Sequence, residues 1–180
     1  MLKKILKIIG VLILLLVVAL FAAPFLFKDQ IKTKISEAIN AKVDAKVSFA
    51  EADLSLFKNF PNANVTLEKL VIINKAPFQG DTLISLGELN LKMSIKELFK
   101  GKNEAIAIDG ITSKNGLINI IFNKDGIGNY DIALKDEKTA ADGKSSPLSL
   151  KIQEYKIENF KFRYFDESSK IKMVIDSLNH

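Results

Sequence analysis

Hydrophobic and polar positions follow three successive regimes along the chain. Residues Ile8 to Phe27 (IIGVLILLLVVALFAAPFLF) carry no charge, and fifteen of the twenty are Leu, Ile, Val or Phe. As a helix rising about 1.5 Å per residue, such a run spans about 30 Å, the thickness of a bilayer's hydrocarbon core. Each of those side chains favours insertion by about 0.3–0.6 kcal/mol near a helix centre. The pattern predicts a transmembrane anchor within residues 1–27. The run is longer than the about 7–15 apolar residues of a cleaved signal, and no small-x-small cleavage site ends it. Lys3, Lys4 and Lys7 flank one side and Lys28, Lys32 and Lys34 the other, so charge bias leaves the orientation open.

The second regime has a period near four. Ile31, Ile35 and Ile39, with Ala38 beside them, form a narrow stripe among Lys and Glu. This predicts a short amphipathic helix over residues 28–42, packed across the end of the domain that follows.

From Val43 the period becomes two, the signature of a β-rich domain over residues 43–180. Val47 and Phe49, then Leu54 and Leu56, alternate with polar neighbours before a break at Phe57–Asn62. Val65 and Leu67 continue the alternation. The parity then slips at Glu68–Lys69, which predicts a bulge before Leu70–Ile73. Asn74–Gly80 reads as a loop. Leu83–Ser94 reads as a long strand with Leu89, Leu91 and Met93 on one face, and Ile95–Lys100 as a helical turn. Asn115-Gly116 stands between the alternating segments Ala105–Thr112 and Leu117–Asn123. It predicts a hairpin, because a tight turn needs positive φ at both central residues. Asp125-Gly126 repeats the device before Asn129–Leu134. Residues 135–147 lack large apolar side chains and predict a mobile loop. Alternation resumes at Leu148, Leu150 and Ile152, passes through Phe160, Phe162 and Tyr164, and ends with Ile171, Met173 and Ile175. The fold class expected is mainly β, an antiparallel sheet with one apolar and one polar face, preceded by two helices. The last strand has no covering segment after it, which predicts a sheet incomplete at its C-terminal edge.

Composition removes several function classes. The net charge is +5, but Lys3, Lys4, Lys7 and Lys28 bracket the apolar run. From Asp29 onward 22 basic and 21 acidic residues nearly cancel. A nucleic-acid partner is therefore not expected, since phosphate binding needs concentrated positive charge. There is no cysteine, and the one histidine is His180. That leaves no thiol chemistry, no cysteine zinc site and no histidine-centred triad. Asp125, Asp131, Asn123 and Asn129 have some calcium-loop spacing, yet Leu134 stands where the bidentate glutamate is needed. Asp166-Glu167 are adjacent on a turn and point apart, unlike an acid–base pair. Phe160, Phe162 and Tyr164 lack the basic groove of a base-stacking platform and read as a core or groove face. No catalytic, cofactor or metal residue is expected, and the chain is read as a non-enzyme.

The order of features resembles the N-terminal region of the AsmA family of Gram-negative envelope proteins. The resemblance rests on the N-terminal apolar run, the short helix and the Phe60-Pro61-Asn62 break before VTLEKLVIIN (Val65–Asn74). It continues through Ile84–Met93, SIKELFKG (Ser94–Gly101), the Ile106–Ile121 segment and DGIGNY (Asp125–Tyr130). Tyr130 stands where the family often has tryptophan. The resemblance implies an inner-membrane anchor with a periplasmic β-domain, and a curved, groove-like sheet similar to bridge-like, chorein-type lipid transfer proteins. It implies phospholipid as a partner and a link to outer-membrane biogenesis. Candidate groove or core positions are Val65, Leu67, Leu89, Leu91, Met93, Ile106, Ile108, Ile118, Ile120, Phe122, Phe160 and Phe162. The competing expectation is an interaction module that binds envelope proteins, assisting outer-membrane protein assembly without carrying lipid.

Overall fold

The computed structural model describes residues 4, 7–15, 18, 28–40, 43–59, 61–100, 106–134, 148–149 and 152–180. Among these, one seven-stranded sheet carries nearly all the regular structure. Its strands are β1 (Ala45–Ser48), β2 (Glu51–Asn59), β3 (Asn62–Asn74), β4 (Thr82–Ser94), β6 (Gly110–Phe122), β8 (Glu154–Asp166) and β9 (Lys172–Leu178). β1 and β2 share one edge of β3, and the order continues β3-β4-β6-β8-β9. The short strands β5 (Ile106–Ala107) and β7 (Leu148–Ser149) form a separate parallel pair. β3, β4, β6 and β8 each have thirteen residues, a contour of about 43 Å at 3.3 Å per residue.

A transverse crease runs through all the long strands. Lys69, Asn115, Asn159 and Ser177 have φ between 52° and 57° in place of the extended value, while β4 crosses the line at Gly87 without a left-handed residue. Registers on either side of the crease agree across β3, β4, β6 and β8. Glu68 pairs with Glu88 and Leu70 with Leu86, then Lys114 with Glu158 and Gly116 with Phe160. One residue per strand is therefore skipped in step: Lys69, Gly87, Asn115 and Asn159. β9 alone gains a residue, because Phe162 pairs with Ile175 but Phe160 with Leu178. The skipped row is partly rebuilt by side chains. Asn159 Nδ2 donates to Asn115 Oδ1 at 2.7 Å, and Asn159 N donates to Asn179 Oδ1 at 2.8 Å. Asparagine tolerates the left-handed region better than most residues, which is why it suits two of these positions.

The crease decides which side chains share a face. Side chains alternate along an ordinary strand, so residues three apart point oppositely. With left-handed Lys69 between Leu67 and Leu70, and left-handed Asn159 between Ile157 and Phe160, both pairs join one apolar cluster, and Leu86 and Leu89 join it across Gly87. Leu67 is 1% exposed and Phe160 3%. Gly116 makes this packing possible: a Cβ there would stand 2.3 Å from Phe160 Cε1.

α1 (Lys28–Asn40) covers the β1–β2 end of the same face through Ile35 and Ile39. It also closes that edge of the sheet. Asn40 Oδ1 accepts from Val47 N at 3.1 Å, its Nδ2 donates to Val47 O at 3.2 Å, and Lys32 Nζ donates to Ala50 O. At the far side, Asp166 Oδ1 accepts from Ser168 N at 2.8 Å, Ser168 Oγ at 2.9 Å and Ser169 N at 3.2 Å in the turn between β8 and β9.

Several expectations need correction. Among the described residues, no helix is long and apolar enough to cross a membrane, so the fold class does not include the transmembrane helix expected within residues 1–27. Residues 16–17 and 19–27 of the apolar run lie outside the described residues. Asn115-Gly116 makes no hairpin but lies inside β6, because only Asn115 of the pair has positive φ. The sheet is not antiparallel throughout: β6 and β8 run parallel over their whole length. The bulge expected at Glu68–Lys69 is a crease without an inserted residue in β3. Asn129–Leu134 forms turns and an isolated bridge from Ala133 to Val43, not a strand. The predicted loop at 135–147 lies outside the described residues. The long strand at Leu83–Ser94 and the helical turn at Ile95–Lys100 match β4 and a 3-10 helix at Ile95–Phe99.

Gly116→Ala is expected to lower the unfolding free energy by about 1–3 kcal/mol, the usual cost of overpacking a core. Denaturant titration should show a smaller loss in a Phe160→Leu background, since the two sites are in contact. The Asp166 carboxyl is held below its usual range by the hydroxyls of Ser169 and Ser168 and by the Ser169 N–H. A depressed carboxylate stabilises the fold above its unfolded pKa and loses that effect as pH falls through its folded pKa. A carboxyl-carbon NMR titration should therefore give Asp166 a lower midpoint in the folded chain than in urea. Replacing both Ser168 and Ser169 with Ala should remove most of the difference.

Candidate functional site

Beyond the reach of α1, the apolar face continues over β6, β8 and β9. Register places Ile118, Phe162 and Ile175 in one row across these strands, and Ile120, Tyr164 and Met173 in the next. Residues two apart in a strand share a face, so Phe122 extends the same surface. Ile118, Ile120, Phe122, Phe162 and Tyr164 are half-buried, while Met173 and Ile175 are 45% and 40% exposed. The Phe122 ring lies 5.8 Å from those of both Tyr164 and Tyr130, inside the range of favourable aromatic pairing. Apolar side chains are thus contiguous from the buried cluster to the last strand, and exposure increases along the way.

The opposite face carries ion pairs among apolar residues such as Leu117, Ile121 and Phe165. Lys161 Nζ meets Asp176 Oδ1 at 2.8 Å, Lys114 meets Glu88 at 3.6 Å, and Lys156 meets Glu158 at 2.5 Å. The hydrogen bond between the last two raises the Lys156 pKa and lowers that of Glu158. Such solvent-exposed pairs stabilise little. Their effect is to make the two faces chemically distinct.

One end of the apolar face is held by the segment that follows β6. Asn123 Oδ1 accepts from Asp125 N and Ile127 N in a turn whose Gly126 has φ 76°. Asn129, 2% exposed, then takes over where β4 has ended. Its Oδ1 accepts from Ile121 N at 3.0 Å, and its Nδ2 donates to Asn119 O at 2.9 Å and to Asn74 Oδ1 at 3.3 Å. Asn74 Nδ2 donates back to Asn129 O at 2.7 Å. This peg ties β3 to β6 and sets Tyr130 beside Phe122. Asn123 and Asn129, half of the calcium-like spacing, are thus engaged by the protein itself.

The predicted positions separate into three groups. Val65, Leu67, Met93 and Phe160 are buried in the central cluster, with Leu89, Leu91 and Ile118 packed half-buried against it. Ile120, Phe122 and Phe162 lie on the open continuation. Ile108 is buried at 7% between β5 and β6, outside both, and Ile106 falls in β5. The candidate list omits Tyr164, Met173 and Ile175, although each continues the period-two pattern of Phe160 and Phe162. Asn129 carries no chemical signal beyond its place in DGIGNY. A cavity of about 310 Å³ lies elsewhere, between α1 and β1, and is lined by Lys32, Glu37, Val47 and Phe49. It is polar on one side and separate from the open face. Among the described residues, no group of acidic or histidine side chains is arranged to hold a metal ion.

The model of the AsmA family matches the chain over residues 1–179, nearly its whole length. No curated protein and no solved structure matches it.

Asn129→Ala leaves the Ile121 N–H and the Asn119 carbonyl without their partner. It is expected to destabilise the chain by about 2–3 kcal/mol, since each orphaned buried group costs about 1–3 kcal/mol. Thermal unfolding measures the loss, and Asn129→Asp should not restore the bond to Asn119 O.

Proposed function

The chain belongs to the AsmA family, and from that premise we propose that it is an envelope protein whose open apolar face shelters the acyl chains of phospholipid. The observation that carries this reading is the surface formed by Ile118, Ile120, Phe122, Phe162, Met173 and Ile175. It is continuous with the core, yet uncovered by any described helix or strand. Apolar surface of that kind binds a partner or remains a liability. An acyl chain is chemically suitable because it needs no hydrogen bonds from the wall. Burial is worth about 0.8 kcal/mol per methylene, so ten methylenes give about 8 kcal/mol before entropic costs. The strand length also fits, since about 43 Å of contour exceeds the length of a single lipid tail.

The same surface explains why no reactive group is needed. Shelter or transport of lipid requires an apolar face, a polar back to keep it in solution, and an edge that determines where the face ends. The function proposed is non-enzymatic, and membership in the family supports work in the envelope and its biogenesis.

The test is photo-cross-linking of the full chain with a phospholipid carrying a photoreactive group in its acyl chain. Adducts are expected on β6 and β8 at the apolar positions. Ile120→Asp and Phe162→Asp should each reduce the yield severalfold, and Arg163→Ser, on the charged face, should leave it unchanged. Equal labelling of the two faces would sink the reading.

A further inference from the structure

The two edges of the sheet are treated differently. At β1–β2 the backbone groups that point outward are met by Asn40 and Lys32, a common way of closing an edge. At β9 no described element lies alongside, and Lys172 through Ser177 are exposed. Ile171 O accepts from Asp166 N at 3.0 Å, so Ile171 directs its backbone toward β8. In an antiparallel pair the hydrogen-bonded residues alternate. Met173 and Ile175 therefore also face β8, and the N–H and C=O groups of Lys172, Val174 and Asp176 point outward.

We propose that β9 pairs antiparallel with β9 of a second copy of this chain, about a two-fold axis through Val174. This register is singled out by charge and by hydrogen bonding together. With Val174 opposite itself, Lys172 stands opposite Asp176 of the other copy, and the reverse, giving two symmetric ion pairs. All three residues with outward backbone groups fall in hydrogen-bonded positions. A shift of two residues either way keeps the bonds but removes both pairs. A shift of one residue places outward groups against inward ones. Asp176 already meets Lys161 at 2.8 Å, and Lys172 Nζ lies 5.2 Å from the centre of the Phe165 ring. Both side chains are thus held on the charged face, where the other copy would find them.

The flanking positions agree. Met173 would oppose Ile175 of the other copy on the apolar face, a favourable cross-strand pair. A two-fold axis perpendicular to the sheet keeps like faces on the same side, so the two apolar surfaces would join into one. The interface is isologous, the commonest arrangement among soluble oligomers.

Sedimentation of the full chain in dilute non-ionic detergent tests this. A dimer is expected for the wild-type chain. Val174→Pro removes an N–H that β8 does not use and should abolish the dimer. Lys172→Glu and Asp176→Lys should each weaken association by about tenfold or more, because like charges then face each other twice. An equimolar mixture of these two variants should associate again, since every pair across the heterodimer is then opposite in sign. A wild-type chain that stays monomeric overturns the proposal. A dimer that tolerates Val174→Pro, or charge variants that fail to rescue each other when mixed, overturns it as well. Should Val174→Pro not fold, the charge-variant mixture decides alone, as both sites are on the surface.

Discussion

Among the described residues little besides α1 covers the apolar face of the main sheet, and the crease answers that constraint. One residue in each long strand leaves the regular alternation, and apolar side chains on both sides of the line are brought onto one face. Leu67 with Leu70, Leu86 with Leu89, and Ile157 with Phe160 then pack together where a flat sheet would expose half of them. The cost is local. Holding a non-glycine residue in the left-handed region costs about 1–3 kcal/mol. Asn115 and Asn159 reduce that cost and bond to each other across the strands. Gly116 and Phe160 fit as a matched pair beside the line, which makes the crease sensitive to a single methyl group.

The remaining architecture follows from where the crease and α1 leave off. α1 reaches only the β1–β2 end, so burial declines from Leu67 toward Met173 and Ile175. The Asn129 peg stabilises one end of the open region, and the Asp166 turn supports the connection between its last two strands. Charged residues occupy the other face. The gradient from sealed core to open apolar surface is continuous, and the proposed lipid-sheltering role rests on it.

Much of the β-domain was legible because period-two patterning is a local property. The strand at Leu83–Ser94 and the late strands ending in Ile175 needed nothing beyond alternation. Asn115-Gly116 misled for a physical reason. Asn-Gly reports a tendency to positive φ, and the chain uses that tendency at one residue to bend a strand, where a hairpin would use it at two. The spacing of three that recurs at Leu67/Leu70, Leu86/Leu89 and Ile157/Phe160 was visible in the residues. Its meaning was not, since a parity slip in one strand reads as a bulge until the neighbouring strands show theirs in the same row.

By itself the sequence determined the predominance of β structure, the absence of cysteine and mid-chain histidine, and the resemblance to AsmA proteins. These depend on composition and on contacts between near neighbours along the chain. Tertiary structure decided the parallel pairing of β6 with β8, the alignment of the crease across the sheet, and which apolar residues are sealed and which lie open. Among the described residues no helix is long and apolar enough to cross a membrane, where the uncharged run had promised a full crossing. The pairings and the alignment depend on residues far apart in sequence, which hydrophobic patterning does not record.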